Sequence, residues 1–199
     1  LKELGEDSYK NVKALKIKVI DFWIKFPKKY IHERHNQSVS GDYIYNSKNV
    51  HNSFIVGDAE DCKFCTYVTS GSRTADCYDF THFGMSSELL YESLQTGNNV
   101  SNVKFSFFAT YNTNDMEYSI FCTGCKNCFG CVGLHKKQYY NFNKRYEKEE
   151  YEKLVEKIKR HMDAMPYVDK QGLIYKYGEF FPIELSPFGY NATTVQEFF

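Results

Sequence analysis

The chain has 199 residues, of which 42% are hydrophobic, and its 25 basic residues balance its 25 acidic ones. This composition supports one medium domain with a packed core, and it excludes wholesale disorder, a linker-like tract and a binder whose whole surface is basic. No apolar run approaches the roughly 18 residues that a membrane span needs, so we predict no membrane span.

An amphipathic helix is predicted between about Asp7 and Pro27. Its apolar stripe recurs every three or four residues: Val12, Leu15, Val19, Phe22 and Phe26. Residues 9–29 hold seven lysines and one acid, Asp21. We expect a solvated lysine face on a helix that packs on the next zone. The alternative is contact with phosphate groups of a nucleic acid or a membrane surface, with Lys10, Lys13, Lys16 and Lys18 as the candidates.

Residues 43–143 form a repeat, in which an apolar residue is followed three positions later by a small residue. Six of the eight units have Ser or Cys at that fourth place, and successive units start 12, 15, 13, 13, 13, 12 and 12 residues apart. The units start at Val50, Cys62, Cys77, Leu90, Val103, Met116, Cys128 and Tyr140. Such a regular period is typical of a stacked repeat architecture.

Two units together make about 25 residues, the length of one coil in a parallel β-helix. The sequence therefore predicts a mainly β fold, a right-handed parallel β-helix of about four coils. Alternate units would stack into two ladders, with Val50, Cys77, Val103 and Cys128 in one of them. Because each coil is covered only by its neighbours, flanking helices are expected to cap both ends.

A second helix is predicted after Asn143 and stops at Pro166, followed by an irregular aromatic tail over residues 175–190. The tail must pack on something, and Phe180, Phe181, Phe188 and Tyr190 are its candidate interaction residues. The expected organisation is a lead-in at 1–42, a repeat body at 43–143 and a cap with tail at 144–199. We expect one compact unit that is part of a longer protein.

Residues 122–151 carry the run Cys-Thr-Gly-Cys-Lys-Asn-Cys-Phe-Gly-Cys, then a Lys/Gln-Tyr strand and a Tyr-containing helix. This resembles the signature of an uncharacterised family of cysteine-rich repeat proteins from uncultivated small-genome bacteria. The additional zinc-ribbon-like Cys pairs usual in that family do not occur in this sequence. The resemblance implies a repeat body with intracellular thiols, and it transfers no activity.

All seven cysteines lie in the repeat, and the odd count without a visible signal peptide argues against a secreted disulfide framework. Cys122, Cys125, Cys128 and Cys131 could offer four thiolates to a metal. Their spacing misses the iron–sulfur pattern at the fourth cysteine, and zinc normally needs two pairs far apart in sequence. We expect buried, reduced thiols that fill the core in a cytoplasmic protein without a cofactor; zinc is the alternative.

No phosphate-binding glycine motif, nucleophile elbow or His-Glu-x-x-His motif occurs in the sequence. Carboxylates on neighbouring coils, such as Asp79 and Glu92 with His82 nearby, keep a carbohydrate-active enzyme as one alternative. A nucleic-acid-binding module using the N-terminal lysines is another. The leading hypothesis is a non-catalytic scaffold that binds another protein or self-associates through its aromatic surface and tail.

Overall fold

The computed structural model describes residues 9–69 and 72–186, and there it shows two helices and a parallel β-solenoid of about nine turns, which confirms the predicted class. Helix α1 covers Tyr9–Trp23. The thirteen strands of the solenoid are β1 (Glu33–Arg34), β2 (Gln37–Tyr45), β3 (Lys48–Gly57), β4 (Ala59–Lys63), β5 (Thr66–Thr69), β6 (Thr74–Ala75), β7 (Tyr78–Gly84), β8 (Glu88–Gly97), β9 (Ser101–Lys104), β10 (Asn114–Glu117), β11 (Lys126–Phe129), β12 (Gln138–Asn141) and β13 (Lys144–Arg145).

Helix α2 covers Lys148–Ala164 and packs against β12, with Tyr151 buried. A two-stranded hairpin follows, β14 (Tyr167–Val168) and β15 (Ile174–Tyr175), and then a 3-10 turn at Ile183–Leu185. Within the described residues, neither helix is long and apolar enough to cross a membrane.

The chain forms two compact units that divide between His32 and Glu33. The solenoid sheet starts with β1 and β2, so the repeat begins inside the predicted 1–42 lead-in. The repeat unit starting near Val39 lacks the Ser or Cys that made the later units recognisable, because the register shifts after Val39 and Gly41 pairs with Ser53. The antiparallel strand β13 and α2 close the other end of the stack.

Each coil has four sides of about three residues, and one residue per side points inward. In the coil that starts at Val103, the inward residues are Val103, Ser106, Ala109 and Thr113, all of them fully buried. The residue directly before each inward position adopts a positive φ, as Phe105 (φ 49), Phe108 (φ 57), Asn112 (φ 58) and Asp115 (φ 53) do. This left-handed conformation is uncommon for residues other than glycine, and it turns the backbone at each corner.

The inward Ser and Cys side chains satisfy the backbone inside the coil. The Ser106 hydroxyl donates to the carbonyl of Lys104 (2.8 Å) and accepts from the backbone N–H of Ser119 in the next coil (3.2 Å). Ser119 repeats this arrangement with the carbonyl of Glu117 (3.0 Å) and the N–H of Cys131 (3.2 Å). A short polar side chain at this position therefore pairs groups that would otherwise be buried without partners.

The predicted coil length of about 25 residues and the count of about four coils are wrong, because one unit of 12 to 15 residues closes a whole coil. Val50 pairs in register with Cys62 rather than stacking on Cys77 two units away. The predicted two ladders are therefore a single inward column, which runs through Leu90↔Val103, Val103↔Met116, Met116↔Cys128 and Cys128↔Tyr140. Four corners per coil, instead of two, halve the number of residues that one turn needs.

Candidate functional site

Four outward faces separate the four inward columns, and two of them are rich in aromatic residues. Face A comprises the outward positions between the column of Val103 and the column of Ser106, where Lys104 and Phe105 lie. Face B comprises the next side of the same coil, where Phe107 and Phe108 lie. Because the strands are parallel and in register, equivalent positions of successive coils form straight ladders along each face.

Face B carries an apolar surface that is exposed over much of its length among the described residues. Its first ladder is Phe54, Thr66, Thr81, Leu94, Phe107, Ile120 and Val132. The corner residues beside this ladder are Ile55, Tyr67, His82, Gln95, Phe108, Phe121 and Gly133. Large side chains stay exposed along it, including Phe54 (51%), Tyr67 (55%) and Phe121 (46%). These positions all lie in the described part of the chain, and none of them is Asp, Glu, Lys or Arg.

The rings of face B are tilted against one another rather than coplanar. The planes of Phe107 and Phe121 meet at 67°, those of Phe108 and Phe121 at 48°, and those of Tyr67 and His82 at 42°. Face B is a ridged apolar surface that suits interdigitating side chains.

The part of face A around Phe105 and Tyr118 is covered by the C-terminal part of the same chain. The ring of Tyr118 stacks on Phe105 at 4.8 Å and meets the ring of Phe181 edge-on at 5.8 Å. Its hydroxyl donates to the carbonyl of Glu179 and accepts from the N–H of Gly178, both at 3.0 Å. Burial under this cover raises the pKa of Tyr118 to about 12.

An ion pair fixes α2 and the cover to face A. The Lys159 ammonium lies 2.8 Å from the Glu117 carboxylate, and both side chains are largely shielded from solvent. The Tyr177 hydroxyl donates to the same carboxylate at 2.9 Å, and the Lys159 ammonium lies 4.7 Å from the Tyr177 ring. The segment that contains Tyr177 is therefore anchored by charge-assisted contacts as well as by ring packing.

The predicted interaction residues fall into three groups. Phe180 and Phe181 are half-buried, and both line a pocket against the solenoid, so their surface already has an intramolecular partner. Phe188, Tyr190 and the side chain of Lys10 lie outside the described residues. The third group consists of exposed lysines on α1: Lys13, Lys16 and Lys18.

The structure brings the predicted carboxylates together at the rim between faces A and B. Asp79 and Glu92 occupy equivalent corners of adjacent coils, and they line an open pocket with Glu179, Phe180 and Phe181. Burial, followed by the charges of Glu179 and Asp79, raises the pKa of Glu92. A carboxyl with a raised pKa next to a second carboxylate is an acid–base arrangement, although three neighbouring acids alone specify no ligand.

Cys122, Cys125, Cys128 and Cys131 are the four inward residues of one coil, each on a different side. All seven cysteines are buried and free, which confirms the expected burial. Each thiol in this coil donates to the carbonyl two residues earlier, as the inward serines do, for example Cys131 to Phe129 at 3.3 Å. The thiols therefore occupy structural positions of the repeat.

A metal at these thiols would require thiolates. Hydrogen bonding to Cys125 and Cys131, together with burial, raises the pKa of Cys128, whereas hydrogen bonds from neighbouring thiols lower the pKa of Cys125 and of Cys131. Among residues 9–69 and 72–186, no group of three or more His, Cys, Asp or Glu side chains is placed to hold a metal ion. The four thiols do not fit a zinc centre in this arrangement, and the geometry favours core filling.

Sequence reasoning missed face B as a separate surface. The signal was present in the every-third-residue pattern: counting from the buried serines places Phe107 and Phe108, or Ile120 and Phe121, side by side on one face. Reading only two of the four inward positions in each coil concealed it. Comparison of the chain with protein-family models, with curated proteins and with solved structures finds no significant match.

Proposed function

We propose that this protein is a non-catalytic scaffold whose solenoid self-associates by packing face B of one copy on face B of a second copy. The observation that carries the proposal is the set of exposed apolar side chains, without a charged residue among them, along seven successive coils of the described solenoid. Contiguous exposed apolar surface of this extent is typical of an interaction site.

The area of face B matches what a stable dimer needs. Seven of its side chains are between 37% and 55% exposed: Phe54, Ile55, Tyr67, Leu94, Phe108, Phe121 and Val132. Because large apolar side chains carry about 150–250 Å² each, these exposures leave roughly 700 Å² of apolar surface. A standard interface buries about 800 Å² per partner. The polar ladder positions, such as Thr66 and Thr81, add the remainder.

Symmetry and charge support a second copy as the partner. A two-fold interface places the same patch against itself, so a charged residue near the centre would meet its own like charge. Face B has none. Two straight faces with the same strand spacing can also interdigitate as the inner faces of a β-sandwich do, about 10 Å apart.

Sedimentation of the full chain over a range of concentrations tests the proposal. We expect a monomer–dimer equilibrium that is insensitive to salt, because the interface is apolar. Phe121→Asp should raise the dimer dissociation constant at least ~100-fold, since it buries two like charges in the interface. Phe64→Asp is the matched control on face A, because Phe64 and Phe121 have nearly equal exposure (47% and 46%) and positive φ (57 and 54).

Two results would overturn the scaffold proposal: a chain that stays monomeric at all concentrations, or equal effects of Phe121→Asp and Phe64→Asp. Circular dichroism of both variants shows whether each keeps the fold. Dimerisation that is lost only at high salt would also contradict an apolar interface.

A second candidate, a carbohydrate-active enzyme, is supported by the pocket that Asp79 and Glu92 share with Phe180. Glycoside hydrolysis uses a pair of carboxyl groups of which the general acid has a raised pKa, and burial raises the pKa of Glu92. Turnover of a polysaccharide by the chain, abolished by Asp79→Asn or Glu92→Gln, would replace the scaffold proposal with this one.

The thiols support two further parts of the proposal. Seven buried free cysteines suit a reducing compartment, so we assign the protein to the cytoplasm. Membership in the cysteine-rich repeat family is supported by the coil formed from Cys122, Cys125, Cys128 and Cys131. Neither assignment is needed for the face B dimer.

A further inference from the structure

Helix α1 exposes most of its apolar stripe. Within the unit that ends at His32, Val12 is 60% exposed, Phe22 58%, Trp23 56% and Phe26 54%. Backbone hydrogen bonds extend the helical turn as far as Phe26, whose ring lies 4.9 Å from that of Phe22. The aromatic residues are thus concentrated at the C-terminal end of α1.

The charge of this segment differs from that of the rest of the chain. Residues 9–29 contain seven lysines and one acid, Asp21, whereas the remaining residues hold 18 Lys and Arg against 24 Asp and Glu. At 100° per residue, Lys18 and Lys25 flank the stripe of Val12, Leu15, Val19, Phe22 and Phe26, and Lys13 lies opposite it together with Ile17 and Ile24. Lys28 follows the helix and lies 5.8 Å from the Trp23 ring.

We propose that α1 is a membrane-surface anchor that lies in the interface of a bilayer containing anionic lipids. A lysine-rich helix with exposed Phe, Trp and Leu side chains binds such surfaces through apolar burial and through attraction to the headgroups. At 15 residues α1 is about 22 Å long, shorter than the ~30 Å hydrocarbon core. It therefore lies on the membrane rather than across it.

The charge complementarity favours a lipid surface over a nucleic acid. A nucleic-acid contact would use the lysines and leave Val12, Phe22, Trp23 and Phe26 in water, whereas the headgroup boundary accepts both sets of side chains. Trp is also a residue that prefers this boundary, because its ring is apolar while its N–H can hydrogen-bond.

The fluorescence of Trp23 tests the proposal directly, since the chain has only one Trp. The full chain is mixed with vesicles of phosphatidylcholine alone or with roughly one-third phosphatidylglycerol. We expect co-sedimentation and a blue shift of the Trp23 emission with the anionic vesicles, and much weaker binding to the neutral ones. Added salt should weaken the binding.

Variants separate the contribution of headgroup attraction from that of apolar burial. Changing Lys13, Lys16 and Lys18 together to Gln should lower partitioning roughly 100-fold, at about 1 kcal/mol per lysine near an anionic surface. Phe22→Ser should lower it about tenfold or more, because it removes buried apolar area. The matched control changes two exposed lysines of α2, Lys153 and Lys157, to Gln and should leave partitioning unchanged.

Three outcomes would overturn the anchor. One is a Trp23 emission that is already blue-shifted in buffer and does not move, which would show that the stripe is covered within the protein. Another is equal loss of partitioning in the α2 control. The last is salt-sensitive binding to a duplex RNA without any binding to anionic vesicles, which would assign the lysines to a nucleic acid.

Discussion

Faces A and B are adjacent sides of the same coils, and they differ in what covers them. Tyr118 and Phe121 stand three residues apart at successive corners, with φ of 50 and 54. Tyr118 packs beneath Phe181 and Tyr177, whereas Phe121 is 46% exposed. Local sequence and backbone are nearly equivalent at the two corners. The difference between them comes from a segment about 60 residues away in the chain.

This comparison separates stability from association in the solenoid. An aromatic residue on the covered face contributes to folding of the single chain, because its surface is removed from water in the monomer. An aromatic residue on the uncovered face makes that contribution only when a second copy arrives. A substitution under the cover of face A should therefore change the free energy of unfolding, whereas one on face B should change the dimer dissociation constant.

The largest expected effect is on face A. Tyr118→Ala should lower the free energy of unfolding by about 3 kcal/mol, because it removes ring packing and leaves the polar groups of Gly178 and Glu179 without the hydroxyl. Phe121→Ala should cost less than about 1 kcal/mol at concentrations where the chain is monomeric. Urea unfolding measures both. Equal losses would remove the distinction between the faces.

Next in size is the ion pair that holds the cover. Glu117→Gln should cost about 2 kcal/mol, since it breaks the contacts to Lys159 and Tyr177 in a shielded site. Glu156→Gln breaks the exposed pair with Arg160 in α2 and should cost at most about 0.5 kcal/mol. If the two variants unfold at the same urea concentration, the Glu117 contacts do not hold the cover.

A smaller, pH-dependent effect follows from Tyr118. Its pKa is raised from 10 to about 12 in the folded chain, so the fold favours the neutral hydroxyl. The corresponding stability is fully present below pH 10 and is lost as pH rises toward 12. The stability advantage of the wild type over Tyr118→Phe should therefore shrink across this window. A constant difference in urea unfolding would argue that the hydroxyl is not held under the cover.

The smallest effect concerns the core beneath both faces. Cys131→Ser should change stability by less than about 1 kcal/mol, because Ser119 and Ser106 occupy the preceding positions of the same column with the same hydrogen bonds. If the four-thiol coil held a zinc ion, the variant would lose it and several kcal/mol with it. Elemental analysis beside the unfolding curve distinguishes the two cases.

The spacing of apolar residues was enough to predict the solenoid class and the burial of the cysteines. Val50, Cys62, Leu90 and Met116 were correctly placed at equivalent positions of successive units. Their stacking into two ladders was wrong, because the number of corners depends on the sign of φ at residues such as Phe105 and Phe108. Aromatic residues carry no clear preference for that conformation, so the sequence alone did not reveal those corners.

The sequence by itself determined which residues point inward, since a period of three with small or apolar residues leaves only one set that can fill a narrow core. Only the tertiary structure decided that a coil closes in about 12 residues and which aromatic ladder is covered. The cover depends on contacts between Tyr118 and residues 177–181, which no local pattern encodes. The sequence predicts Phe180 and Phe181 as residues that bind a partner, because the residues they pack on lie on coils far away in the chain.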